Sequence, residues 1–137
     1  MSIDSQTAIH LSAALLATAI GPVALWARRS GGQHPRLHRA AGYAWVTLMV
    51  LASLSALFIR NSPLALLAGF SLIHLLVPFT LGMLVLAFRF LFRGDIAGHR
   101  TTMRNLYIGA CLGAGFFTLS PGRYLGQLIW GQWLGLV

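Results

Sequence analysis

His10 and His74 each stand in the tripeptide Ile-His-Leu, at residues 9–11 and 73–75. An arginine follows each histidine by 19 residues, Arg29 and Arg93, and then comes a His-Arg pair, His38-Arg39 and His99-Arg100. Four of the five histidines therefore hold matched positions. Neutral imidazole is a ligand for haem iron. Two histidines meeting at one level from opposed helices would supply the two axial ligands of a haem b. Arg39 and Arg100, one residue beyond the second pair, have the charge to neutralise haem propionates or lipid phosphates.

The elements that carry these residues are apolar helices. The 137-residue chain is 57% hydrophobic and 9% charged, with a mean hydropathy of +0.75. A soluble domain holds about 25% charged residues, so the composition is that of one membrane domain. A span needs about 20 apolar residues, and four segments qualify: about 8–26, 40–59, 64–88, and 106–119 with the turns from His99 onward. Ser120-Pro121-Gly122 ends the fourth, because proline cannot continue the helical ladder. The remainder, 121–137, carries Tyr124, Trp130 and Trp133 among glycines. It is too short to span and reads as an aromatic segment at the interface or packed on the bundle. Short connections favour antiparallel neighbours. The expected fold is all-α, an integral membrane four-helix up-down bundle built from two repeated hairpins, residues 8–60 and 64–120.

The net charge of +8 sits in loops and reports orientation rather than nucleic-acid binding. Arg28, Arg29, Arg36 and Arg39 fill the first connection, and Arg89, Arg93, Arg100 and Arg104 the third. The middle one holds only Arg60. The positive-inside rule then places both termini outside, in a multi-pass protein of a bacterial inner membrane. The residues before the first apolar run hold Asp4 and no Lys or Arg, so that run is expected to be a retained span rather than a cleaved signal.

Hairpins repeated in one orientation imply a two-fold axis along the membrane normal. His10 and His74 would then share an outer level, and His38 and His99 a level near the inner interface. For the inner pair, solvation or a lipid phosphate is the competing reading. His74 stands about ten residues into its span, where an ionisable group is costly and points to function. Pro78 denies the His74 carbonyl its helical donor, which opens either a pocket or a kink. His10 lies nearer the outer end, and His34 reads as a loop residue. Tyr43 and Tyr107 are candidates for bordering a quinone, with packing at the interface as the alternative. Ser71, Thr80 and Thr118 are candidates for interhelical hydrogen bonds, and Gly109 and Gly113 form a small-xxx-small match that chance also produces.

Other chemistry lacks residues. The only carboxylates, Asp4 and Asp95, lie outside the spans, which disfavours proton-coupled carriers and excludes paired-carboxylate hydrolysis in the bundle. A zinc hydrolase lacks a third ligand and a base. Cys111 is the one cysteine, so no intramolecular disulfide forms.

The segments His38-Arg39-Ala40-Ala41-Gly42-Tyr43 and Gly98-His99-Arg100, with His74, resemble a bacterial family of small predicted membrane proteins without assigned function. The paired histidines on four helices also resemble the cytochrome b561 superfamily. That likeness implies haem b between helices, electron transfer, and His10, His74, His38 and His99 as ligands in two layers. The functional expectation is a membrane haem b protein, with quinone as a candidate partner. The alternative is a non-catalytic membrane subunit or lipid-binding scaffold, in a larger complex or a homodimer.

Overall fold

The computed structural model describes residues 4–28, 34–59 and 72–136, and every regular element among them is helical. Helix α1 is Ser5–Trp26 and α2 is Pro35–Ala56. A 3₁₀ turn, Leu72–Leu75, leads into α3, Leu76–Phe92. Helix α4, Ile96–Leu106, continues through a π-helical segment, Tyr107–Gly113, into α5, Ala114–Thr118. A short α6, Tyr124–Gly126, passes into a second π-helical segment, Gln127–Trp133.

Helix α1 is long and apolar enough to cross a membrane, with mean hydropathy 1.8. Its inward face is a stripe of small residues, Ala13, Ala17 and Gly21, while Leu15, Leu16 and Val23 are exposed. Small residues inside and large apolar ones outside is the pattern of a helix whose surroundings are as apolar as its core. The stripe lets α2 approach closely, and α1 with α2 is the most extensive helix pair. Gly109 and Gly113 do not act this way: Gly109 is exposed, and a Cβ there would meet nothing.

Two turns set the register of the hairpins. Between α3 and α4, Gly94 takes φ +78°, a left-handed conformation that a Cβ disfavours. Asp95 N donates to Phe90 O at 2.9 Å and Gly94 N to Leu91 O at 3.1 Å, the paired bonds of a Schellman C-cap. The next residue in the chain then caps α4, as Asp95 Oδ1 accepts from Gly98 N at 2.8 Å. In the other hairpin His34 is the N-cap and Pro35 the first helical residue, where a missing N–H costs nothing. His38 and His99 therefore occupy the same place, four residues past the N-cap. Replacing Asp95 with alanine is expected to lower stability by about 1 kcal/mol, read as a shift in the detergent unfolding midpoint. Asn at that position should restore most of it.

The core forms where the helices meet mid-length. Ala17, Trp45, Met49, Leu84, Leu106, Tyr107, Ala110 and Cys111 pack as one cluster. Helix α2 touches α3, and α1 touches the first π-helical segment, so the two hairpins close around it. Cys111 Sγ lies 3.5 Å from Met49 Sδ.

Several expectations change. The third apolar segment ends at Phe92 rather than 88, and its part over 64–71 lies outside the described residues, as do Arg29, Arg60 and Ser71. His74 is in the 3₁₀ turn that enters α3. Pro78 cannot donate to the His74 carbonyl, so the chain tightens there into i→i+3 bonding. Tyr107 is not at an interface: it is buried in the core, and its hydroxyl donates to Thr18 O at 2.9 Å. Thr118 Oγ1 donates within its own helix, to Gly115 O at 2.7 Å. The fourth helix ends at Thr118, before the predicted breaker. The tail is helical despite its glycines and folds back on that end, where Trp130 Nε1 donates to Leu119 O at 2.8 Å.

Candidate functional site: two layers of imidazoles

The matched inner histidines make matched contacts. His38 Nδ1 lies 2.8 Å from Ala24 O, and His99 Nδ1 lies 2.9 Å from Ala87 O. Each bond returns from the second helix of a hairpin to the first. A carbonyl only accepts, so Nδ1 must carry the proton and donate. In the neutral ring the lone pair is then on Nε2. Both rings are half-buried. The Phe88 ring stands beside His99, with centroids 6.4 Å apart.

His10 follows the same rule. Its Nδ1 donates to Ala52 O at 2.8 Å, with Ser55 Oγ 3.3 Å away. Ser55 Oγ also donates to Ala52 O at 3.0 Å, so one carbonyl gathers both groups. His74 differs. It uses Nε2, which donates to Ile59 O at 3.1 Å. The outer histidines thus both meet the C-terminal part of α2 and the residues just beyond it, but through opposite ring nitrogens. The match written in the sequence is kept in the contacts of the inner pair and not in those of the outer pair.

The histidines flank the packed core rather than enter it. Seven residues beyond His10, His38 and His99 stand Ala17, Trp45 and Leu106, all in the core cluster. Seven residues of helix rise about 10 Å. Each imidazole therefore stands about two turns from the central layer. One turn inward from each, the buried residues are small: Ala13, Ala41 and Thr102.

Arg39 and Arg100 are exposed on the turns beside the inner histidines. His34 is exposed, and its ring stacks on Trp26 with centroids 6.0 Å apart, so it belongs to the loop. Tyr43 is exposed on α2. No cluster of three or more His, Cys, Asp or Glu side chains suited to a metal occurs among the described residues. What sequence reasoning missed is the role of Trp45 and Tyr107 as the central layer.

A chain whose described elements are all helical, with α1 turning small residues inward and large apolar residues outward, and with arginines near the helix ends, belongs to the class of helical membrane proteins. Over residues 7–128 it matches the family described as predicted membrane protein (DUF2306), and it is a member of that family. No curated protein and no solved structure matches the chain.

Proposed function

We propose that the protein is a four-span membrane haem b protein that transfers electrons, with quinone as its candidate partner. One observation carries the reading: His10, His38 and His99 each hold Nδ1–H on a backbone carbonyl of a neighbouring helix. That bond fixes the ring and its tautomer and raises the basicity of Nε2, the arrangement of metal-bound histidines. His38 and His99 would be the better-supported pair to hold the haem, since their contacts match. His10 and His74 form the second candidate pair, for which His74 must exchange its Ile59 bond for iron. The donor set fits haem b, because two neutral imidazoles are suitable axial ligands. Haem supplies the one-electron chemistry when bound. The chain's part is to hold the imidazoles, exclude water with apolar helices and offer Arg39 and Arg100 to the propionates. Arginines near the ends of α2 and α3 and in α4 favour, by the positive-inside rule, a cytoplasmic position for the histidine pair 38/99 and both termini outside. Two copies of one hairpin, related by an axis along the membrane normal, account for the matched inner contacts.

The test is the visible spectrum of the full-length protein, purified after expression with ample haem. A Soret band and the α-band of a six-coordinate ferrous haem are expected. A protein that stays colourless under haem titration overturns the reading.

A second reading has its own support. Each of these imidazole bonds also ties one helix to another, which is what a non-catalytic subunit or scaffold needs. It predicts a colourless protein that co-purifies with a partner complex.

A further inference from the structure

The seam between the hairpins holds a groove of about 380 Å³ between α2 and α3. Val46 and Val50 form one wall, and Leu81, Val85, Phe88 and Phe92 the other. From Leu81 to Phe92 it runs eleven residues along α3, or about 16 Å. Among the described residues its only polar lining residue is Arg89, in the last turn of α3. Val85, Arg89 and Phe92 are exposed, so the groove opens outward from the bundle.

The geometry points to a binding site for one phospholipid with an anionic head group, its acyl chain along the groove and its phosphate on Arg89. The two halves of the site contribute differently. Acyl chains gain little by leaving other acyl chains for leucine and valine, so the groove selects an extended shape and not a lipid class. Selection comes from Arg89, a rigid five-donor fork suited to phosphate. No carboxylate competes for it among the described residues: the chain has two acids, and Asp95 is engaged in capping α4. A quinone is a poorer occupant, because its second carbonyl would find no donor in a lining that is otherwise hydrocarbon. The site needs no haem, so its test is independent of the electron-transfer reading.

The test uses the full-length protein in mild detergent, equilibrated with mixed micelles of equal phosphatidylglycerol and phosphatidylcholine, with retained lipid counted by mass spectrometry. One cation near the membrane surface contributes about 1 kcal/mol, so about fivefold enrichment of phosphatidylglycerol is expected. Arg89→Gln should bring the ratio to about one, while Arg36→Gln, on an exposed turn elsewhere, should leave the enrichment intact. Val85→Trp, which fills the groove from its exposed side, should lower the total lipid retained with helical content unchanged. Enrichment that survives Arg89→Gln, or equal retention of both lipids by the parent protein, overturns the proposal. So does displacement of phosphatidylglycerol by ubiquinone, which would make the groove a quinone site, or by millimolar inorganic phosphate, which would make Arg89 a free-anion site.

Discussion

Gly21→Leu is expected to destabilise the helical bundle by about 3 kcal/mol, the upper range for overpacking a filled core. Gly21 is the last of the small residues on the inward face of α1. A Cβ placed there runs into the edge of the Tyr107 ring and stands 3.1 Å from Trp45 Nε1. Neither neighbour yields easily. Tyr107 is held at its far end by the bond from its hydroxyl to Thr18 O, and Trp45 is 4% exposed within the central cluster. What the added side chain meets are ring edges, so the loss is chiefly steric. Unfolding of the detergent-solubilised protein in a denaturing surfactant measures it. The pair Gly21→Leu with Tyr107→Leu tests the cause. Removing the ring should recover part of the loss, giving a coupling energy of about 1 kcal/mol or more in a double-mutant cycle. If the two losses simply add, α1 does not meet Tyr107 at Gly21.

His99→Ala is expected to weaken haem retention by more than about 100-fold while leaving the helices folded. Loss of a supporting bond around a metal-bound histidine costs about 10–100-fold in affinity, and loss of the ligand itself must exceed that. The structural cost is smaller, since a single hydrogen bond to Ala87 O contributes about 1 kcal/mol. His38→Ala should behave alike, because its bond to Ala24 O has the same geometry. The two readings separate on His99→Asn. Asparagine keeps a donor for the carbonyl but offers iron no imidazole. It should restore stability and leave haem unbound if His99 is an axial ligand. If the histidine serves only to tie α4 to α3, the parent protein is colourless and asparagine restores everything that alanine lost.

The sequence singled out the histidines by type and spacing, without their contacts. His10 and His74 share a tripeptide, so they read as equivalent. In three dimensions His10 meets α2 through Nδ1, while His74, in the 3₁₀ turn before α3, meets Ile59 beyond α2 through Nε2. His38 and His99 share in sequence the arginine that follows each, and in the fold they share a position after an N-cap and a bond to the preceding helix. Helix caps are local and readable: Gly94-Asp95 and His34-Pro35 are visible in the chain. Which carbonyl lies opposite the fourth residue of the helix is not local. It depends on how closely two helices approach.

Composition and spacing by themselves determined an all-helical, apolar protein and its breaks near residues 93–95 and 119–123. These follow from hydrophobicity, proline, glycine and caps, which act within a few residues. The tertiary structure alone decided that Ala13, Ala17 and Gly21 form the close seam rather than Gly109 and Gly113. It also decided that Tyr107 is central and that the imidazoles stand in layers about two turns either side of a packed core. Helices α1 and α3 are apolar on most faces, so periodicity cannot say which of their faces is inside. Only the fit of small residues against large ones from another helix selects it.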